Sequence, residues 1–265
     1  MKKIVFSDVD GTLLNRNHEI TFMTQKAIKK LEEQEIPFVI VSARSPSGIY
    51  PILKEYDFHC TAIIAYSGAL ILDEHKNILY HKGIHKENAR QIIQYIETMD
   101  MNISWCAYSL DQWVVKDKTD PKIIEEETIV KAKAEEGSID TIIDSQVNKI
   151  LCICDPSQIL QIETKLKEVF PRYSIVKSYD NLLEIMENGI TKAEAVKNLC
   201  SLWNISLNNT IAFRDNYNDV EMLKTVGIGY LMDNAPKDLK EQGFHVTKDN
   251  DHDGIYYALS GLGWI

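Results

Sequence analysis

Residues 4–12, with the sequence IVFSDVDGT, place two aspartates directly behind a short apolar run. A short apolar run that ends at turn residues is typical of a buried strand, so we expect a strand to end just before Asp8. Asp8 and Asp10, followed at once by Gly11, are poor strand residues and favour a catalytic loop. Their oxygens would share one small volume, where a divalent cation relieves the mutual repulsion. The stretch therefore indicates metal-assisted chemistry on an anion, and phosphate is the commonest such anion.

Both ends of the chain alternate short apolar runs with segments whose apolar residues recur at helical spacing. The predicted strands there are residues 3–7, 37–41, 61–66, 210–213 and 226–232. Strands separated by helices imply a parallel sheet that is covered on both faces. We therefore predict an α/β fold with a Rossmann-like, doubly wound parallel-sheet core.

The middle of the chain has a different pattern, in which strands and helices are mixed. Predicted helices cover residues 87–99, 121–136 and 156–170, a hairpin covers 103–108 and 113–116, and further strands cover 147–154, 173–178 and 182–187. This pattern predicts an inserted α+β domain with its own core. We place the insertion at residues 83–187, between a core domain formed by residues 1–82 and 188–265.

Composition excludes several classes of partner. The 265 residues carry a net charge of −10 without a dense basic cluster, which argues against nucleic acid and against anionic membranes. We find no apolar run long enough to span a membrane and no signal peptide. The five cysteines show no C-x-x-C spacing, and free thiols fit a reducing cytoplasm, where we expect the protein to reside.

Polar residues stand where the predicted strands end, which is where open α/β sheets bind ligands. They are Asp8, Asp10, Thr12, Ser42, Arg44, Asp215, Asn218 and Asp219, with Ala43 between two of them and Lys192 at a helix start. Mg²⁺ takes about six oxygen ligands, of which water and phosphate supply several. Two carboxylates, those of Asp8 and Asp215, with a backbone carbonyl would therefore hold it.

Lys192 carries an independent indication. Thr191 and Glu194 have the spacing of a capping box, which predicts that a helix begins here. A cation in the first turn is disfavoured by the helix dipole, whereas a bound phosphate would reverse that cost.

Each of these residues also has an ordinary structural interpretation. An isolated pair of aspartates is common on surfaces, Ser42 is a usual turn residue, and Arg44 could form a surface ion pair. Asp215, Asn218 and Asp219 could cap a helix near Val220, and Lys192 could extend to solvent. Their joint appearance, one group at each strand end, favours a site.

The motifs DVDGTLL (8–14), VSAR (41–44), GITK (189–192) and D-x-x-N-D (215–219) resemble those of the haloacid dehalogenase superfamily of phosphatases. The insertion resembles the α/β cap of the Cof-type subfamily. The tail agrees, because residues 227–229, 234–235 and 251–254 are similar to the C-terminal signature of that subfamily.

The resemblance implies a role for each motif. Asp8 would be the nucleophile that forms an aspartyl-phosphate, and Asp10 would be general acid and then general base. Mg²⁺ would be held by Asp8, the Asp10 carbonyl and Asp215. The phosphoryl oxygens would be held by Ser42, the Ala43 amide, Lys192 and Asn218, with Thr12, Arg44, Asp219 and Asn234 in support. Asp219 would orient Lys192 or a metal-bound water, and the cap would exclude water and select the substrate.

Two positions depart from the family pattern. Arg214 and Asp233 stand where the family usually has glycine. Arg214 could pair with Asp215 and weaken Mg²⁺ binding, or point away. We therefore expect a Mg²⁺-dependent phosphatase of small phosphorylated metabolites, such as sugar phosphates. The alternatives are a phosphate-binding or regulatory protein whose hydrolysis is impaired by Arg214, and a phosphosugar mutase.

The inserted domain offers three aromatic residues as candidate substrate contacts. These are Trp105, Tyr108 and Trp113. Aromatic side chains on strands more often belong to a core, and that is the interpretation we favour.

Overall fold

The computed structural model describes residues 2–57, 60–130, 132–217 and 220–265. This described part of the chain divides into two compact units. One contains the residues up to Arg44, Ile49–His81 and Thr191–Ile265, and the other contains Ser45–Gly48 and Lys82–Ile190.

The helices and strands follow in three stretches. The first contains β1 (Ile4–Ser7), α1 (Phe22–Glu33), β2 (Phe38–Val41), α2 (Pro46–Tyr56), β3 (Ala62–Ala65), β4 (Leu70–Asp73) and β5 (Ile78–His81). The second contains β6 (Ile84–His85), α3 (Lys86–Thr98), β7 (Ser104–Ser109), β8 (Gln112–Val115), α4 (Pro121–Val130), β9 (Glu135–Glu136), β10 (Gln146–Val147), β11 (Lys149–Ile153), α5 (Ile159–Val169), β12 (Tyr173–Lys177) and β13 (Leu182–Glu187). The third contains α6 (Lys192–Leu202), β14 (Thr210–Arg214), α7 (Val220–Thr225), β15 (Ile228–Leu231), α8 (Lys237–Lys240), β16 (His245–Val246) and α9 (Gly254–Gly261).

The first unit is built on one sheet, to which the described residues contribute eight strands in the order β16-β15-β14-β1-β2-β3-β4-β5. The strands from β16 to β3 are parallel, as in the pairs Phe6↔Ala212 and Phe6↔Val39. The predicted α/β fold with a parallel-sheet core is confirmed. The order of the strands places β1 between β2 and β14, so that Asp8 follows the central strand of the parallel part.

The antiparallel hairpin β4–β5 is absent from the sequence prediction. Its strands have four residues each, and β5 is only partly buried. A turn residue does mark it, since the Asp73 carboxylate accepts hydrogen bonds from the backbone amides of His75 and Asn77. The sequence predicted parallel strands separated by helices, and this pattern does not include a short antiparallel strand that follows its neighbour directly.

The core of the first unit explains why β1 is so apolar. Ile4, Val5 and Phe6 are fully buried because the strand has a neighbour on each side and a packed layer on each face. Burying each such side chain contributes roughly 1.5–3 kcal/mol, which fixes the position of the residues that follow it.

The second unit has a separate sheet and core. Six of its described strands lie in the order β12-β13-β11-β7-β8-β9, antiparallel except for the last pair, and β10 and β6 form a separate antiparallel pair. The predicted hairpin is confirmed by the pairing of Cys106 with Val115. Trp105 and Trp113 are buried, and Trp105 belongs to the core cluster of this unit.

The predicted helix over residues 121–136 is too long. Helix α4 ends at Val130, and Glu135 pairs with Val114 as part of β9. The Glu127 carboxylate accepts a hydrogen bond from the Ala134 backbone amide at 2.8 Å, which helps to hold this return of the chain to the sheet edge.

In the described ranges, none of the helices combines the length and the apolar character that a membrane span requires. Each of the five cysteines falls in a described segment, where it is buried with a free thiol.

Candidate active site

Asp8 follows β1 and is 8% exposed. Its Oδ1 accepts hydrogen bonds from the Val9 backbone amide and from Lys192 Nζ, each at 2.9 Å. Its Oδ2 accepts one from Arg214 Nη1 at 3.1 Å. A buried carboxylate is tolerable only when it is paired in this way, and the three donors fix the direction of both oxygens.

Lys192 reaches Asp8 because α6 begins where the capping motif predicts. The Thr191 hydroxyl accepts a hydrogen bond from the Glu194 backbone amide at 3.1 Å, while the Glu194 carboxylate accepts one from Lys197. Lys192 is 3% exposed, so the interpretation that it extends to solvent is wrong. Its ammonium lies against a carboxylate, which offsets the unfavourable helix dipole.

Asp215 follows β14 and meets the turn after β1. The Thr12 hydroxyl donates a hydrogen bond to Asp215 Oδ1 at 3.0 Å. Burial, and secondly the nearby Asp8 carboxylate, raise the pKa of Asp215 above its ordinary value, against the lowering effects of Thr12 and Arg214. The two carboxylates are therefore close enough to interact, with Asp8 buried and Asp215 partly buried.

Gly11 makes this approach possible. Its φ is +72°, and a Cβ atom at this position would lie 2.2 Å from Asp215 Oδ2. The glycine behind the aspartate pair thus serves both the left-handed backbone and the close packing of Asp215.

Arg214 is fully enclosed at the end of β14, with 3% of its surface exposed. Its Nη1 pairs with Asp8, and its Nε donates a hydrogen bond to the Asn216 carbonyl at 2.9 Å. The alternative that Arg214 points away from the site is wrong, because Arg214 forms an ion pair with Asp8. It also lowers the pKa of Asp215, against the raising effects of burial and of Asp8. The sequence showed the unusual residue but not which carboxylate it reaches.

Asp10 faces a different partner from Asp8. Its side chain is 52% exposed, and the Arg44 guanidinium donates two hydrogen bonds to it, from Nη2 to Oδ1 at 2.6 Å and from Nε to Oδ2 at 3.0 Å. The Ser42 hydroxyl accepts a hydrogen bond from the Arg44 backbone amide at 3.1 Å, and Ala43 between them is exposed. The loop after β2 is therefore tied to the turn after β1 through the Arg44–Asp10 pair.

A strained turn after β3 joins this loop to α6, and the sequence analysis missed its role. Tyr66, Ser67 and Gly68 all have positive φ, of 51°, 53° and 113°. The backbone amide of Ser67 donates to the Ser42 carbonyl at 2.9 Å. A Cβ atom on Gly68 would lie 2.6 Å from the Thr191 carbonyl oxygen. In the sequence, Ser67 and Gly68 at the end of the predicted strand were the residues that could have indicated this turn.

The segments near the C-terminus brace the turn after β1. Asn234 Nδ2 donates to the Gly11 carbonyl, and Asn250 Nδ2 donates to the Leu14 carbonyl, both at 2.8 Å. Asp233, the second departure from the family pattern, is exposed and pairs with Lys240 at 2.8 Å. Asp233 therefore has a surface partner of its own.

Two predicted site residues, Asn218 and Asp219, lie outside the described residues. The described members of the predicted set fall into two connected groups. Asp8, Thr12, Lys192 and Asp215 come together with Arg214, whereas Asp10, Ser42 and Arg44 form a neighbouring chain of contacts.

The donor chemistry of the first group fits Mg²⁺. Asp8 and Asp215 supply carboxylate oxygens, which are the hard donors that Mg²⁺ prefers. Burial, and secondly the Asp8 carboxylate, disfavour the charged form of Asp215, and a bound cation would oppose both effects. Among the described residues, no group of three or more His, Cys, Asp or Glu side chains is arranged to hold a metal ion. The fit therefore rests on two carboxylates and the predicted main-chain carbonyl of Asp10.

Comparison with known proteins covers almost the whole chain. The family model for haloacid dehalogenase-like hydrolases matches residues 5–259. A Haemophilus influenzae protein named "Putative phosphatase" is 36% identical over 260 residues, which are 98% of this chain and 97% of the relative. A Bacillus subtilis protein named 5-amino-6-(5-phospho-D-ribitylamino)uracil phosphatase is 26% identical over 285 residues, covering 98% of each chain. The crystal structure of a haloacid dehalogenase-like hydrolase from Bacteroides thetaiotaomicron superposes with a TM-score of 0.89 at 27% identity, covering 99% of this chain and 100% of that one.

Proposed function

The chain belongs to the haloacid dehalogenase-like hydrolase family, and from this membership we propose that it hydrolyses small phosphorylated metabolites in a Mg²⁺-dependent reaction. It is a phosphoric monoester hydrolase in reaction class. The finer proposal concerns the metal, the covalent intermediate and the class of substrate.

Asp8 is the proposed nucleophile. One carboxylate oxygen attacks phosphorus, the bond from phosphorus to the ester oxygen breaks, and an aspartyl-phosphate forms. Water then attacks the same phosphorus and releases inorganic phosphate, which restores the carboxylate. The burial of Asp8 and its three donors support this role, because they orient the nucleophile before the substrate binds, so that little further ordering is needed for the reaction.

Asp10 is the proposed general acid, which gives a proton to the leaving alkoxide, and then the general base for the attacking water. Its half-exposed carboxylate is oriented by Arg44, which supports a position that a leaving group can reach. We propose that Ser42, the Ala43 amide, Lys192 and Asn218 bind the phosphoryl oxygens, with Thr12, Arg44, Asp219 and Asn234 supporting them.

Asp8, the Asp10 carbonyl and Asp215 would hold the metal. When bound, Mg²⁺ supplies positive charge that allows the anionic substrate to approach the anionic nucleophile. Lys192 supplies a positive charge of its own to Asp8, with Nζ at 2.9 Å from Oδ1. In a buried site such preorganised charge stabilises the transition state more than it would in water.

The substrate is proposed by class alone. The Bacillus subtilis relative acts, by its name, on a phosphorylated ribitylamino compound, which supports a phosphorylated sugar or sugar-like metabolite. We propose a cytoplasmic location because all five thiols are free. We also propose residues 1–82 and 188–265 as the catalytic domain and residues 83–187 as the inserted, substrate-selecting domain.

The second candidate is a phosphate-binding or regulatory protein. The observation that favours it is the ion pair of Arg214 with Asp8, which places a cation against the proposed nucleophile. A measurement of turnover distinguishes the two candidates, because a protein that only binds phosphate does not release it from a substrate. A phosphosugar mutase would share the chemistry but would return the phosphoryl group to the sugar.

The convergence of Lys192 and Asp8 carries the proposal, and the test compares two lysines of one helix. We expect the protein to release inorganic phosphate from para-nitrophenyl phosphate only when Mg²⁺ is present. Lys192→Met should lower kcat by about 100-fold or more, because it removes one donor to the charged centre. Lys197→Met, which alters only an exposed pair with Glu194, is the matched control and should keep full activity.

An equal loss in both lysine variants would contradict the assignment of Lys192. Turnover that is unchanged by removal of Mg²⁺ would contradict the metal dependence. Binding of phosphate without turnover would favour the second candidate.

A further inference from the structure

Two fixed cations contact the proposed nucleophile before any metal is bound. Lys192 lies on Asp8 Oδ1 and Arg214 lies on Asp8 Oδ2. Both cationic side chains are almost completely enclosed, with 4% and 3% of their surfaces exposed. The carboxylate therefore has a positively charged partner on each of its oxygens.

The charge balance of this cluster shows what Arg214 changes. Among the described residues of this cluster, Asp8 and Asp215 contribute two negative charges, and Lys192 and Arg214 contribute two positive ones. With glycine in place of Arg214, the same cluster would carry a net charge of −1. A cluster that is already neutral attracts a divalent cation less strongly, and the effect is large because the site is shielded from water.

Arg214 also acts on both proposed carboxylate ligands. It pairs directly with Asp8, and it is the chain neighbour of Asp215. The guanidinium is anchored from the other side by the hydrogen bond from its Nε to the Asn216 carbonyl at 2.9 Å. This anchor orients Nη1 toward Asp8.

We propose that Arg214 is a resident cation that competes with Mg²⁺ for the Asp8–Asp215 carboxylate pair. Metal binding requires the guanidinium to give up its contact with Asp8 Oδ2 or to share that oxygen against charge repulsion. The protein therefore binds Mg²⁺ more weakly than it would without the arginine charge. This inference rests on the proposed function only in taking Asp8 and Asp215 as the metal ligands.

The test is calorimetric titration of Mg²⁺ into the metal-free full-length protein. Arg214→Gln removes the charge and keeps a side chain that can hydrogen-bond, whereas Arg214→Lys keeps the charge. We expect Arg214→Gln to bind Mg²⁺ at least about tenfold more tightly than the wild type, because one close positive charge has been removed. Arg214→Lys keeps the charge but loses the directed contacts of the guanidinium, so it should gain less affinity than Arg214→Gln.

A double variant shows where the metal binds. Adding Asp215→Asn to Arg214→Gln should abolish the gain in affinity. If the double variant still binds tightly, the metal lies elsewhere and the proposal is overturned. Equal affinities of the wild type and Arg214→Gln would also overturn it.

Arg214→Ala keeps the proposal testable if Arg214→Gln does not fold, because it also removes the charge. Equal Mg²⁺ affinities of Arg214→Ala and the wild type would overturn the inference. Equal Mg²⁺ affinities of the wild type and the charge-removing variant, in a protein that hydrolyses phosphate esters, would refute the inference and leave the proposed function standing. Tighter Mg²⁺ binding by Arg214→Gln without any hydrolysis would support the inference and refute the proposed function.

Discussion

The Asp8 carboxylate depends on neighbours that are themselves ionised. Lys192 and Arg214 are buried cations, and each forms an ion pair with this carboxylate. A buried ion pair adds little net stability over apolar packing, but removing one member costs about 3–5 kcal/mol because the other charge stays buried. This group of charges is therefore best explained by chemistry at Asp8 rather than by stability.

Asp215 gives a prediction about how the stability of the fold depends on pH. Its pKa is raised above 3.8 in the folded protein, so the folded state holds this proton more tightly than the unfolded chain does. By linkage, the free energy of unfolding falls as the pH rises from 3.8 through the raised pKa. We expect metal-free Asp215→Asn to melt at a higher temperature than the wild type at neutral pH, and this advantage to vanish in acid below 3.8.

Thermal melts in a chelating buffer at several pH values check this expectation. Asp100→Asn, at an exposed aspartate, is the control and should follow the wild type at every pH. A lower melting temperature for Asp215→Asn at neutral pH would contradict the linkage argument.

The turn after β3 gives a prediction about a whole element, the helix α6. Gly68→Ala would force a Cβ atom to within 2.6 Å of the Thr191 carbonyl oxygen at a φ of +113°. The start of α6 must then move, and Lys192 moves with it. We expect a loss of stability of about 2 kcal/mol or more and a fall in kcat.

Urea denaturation and phosphatase assays measure the two effects. Gly261→Ala is the matched control, because a Cβ atom there meets no heavy atom within 4 Å. Since α9 ends at this residue, alanine there should leave the stability unchanged or raise it slightly. Wild-type activity in Gly68→Ala would show that this turn does not position Lys192.

The sequence predicted the ends of elements well wherever a side chain marks them. The start of α6 follows from Thr191, and the end of β1 follows from Asp8. It did not predict the end of α4 at Val130 or the β4–β5 hairpin, because a short strand at a sheet edge has little apolar patterning. Nor did it predict that Arg214 reaches Asp8, since that contact depends on the twist and packing of neighbouring strands.

Over the whole molecule, the site depends on contacts between distant parts of the chain. The Lys192–Asp8 contact joins residues 184 positions apart, and the Arg214–Asp8 contact joins residues 206 positions apart. Arg214 meets Asp8 because β1 lies beside β14 in the sheet, and Lys192 meets it because α6 begins at that residue. The alternation of strands and helices predicts that such an edge exists, and the carboxyl-end rule predicts which residues line it. The pairing of individual charges needs the coordinates.

The most direct test of the account is to trap the phosphoryl group on the protein. The enzyme would be quenched with acid during turnover of para-nitrophenyl phosphate, and its peptides would be mapped by mass spectrometry. We predict a phosphoryl group on Asp8 in the wild type, with neither a phosphoryl group nor turnover in Asp8→Asn. A phosphoryl group on another residue, or turnover by Asp8→Asn at the wild-type rate, would contradict the claim that Asp8 is the nucleophile.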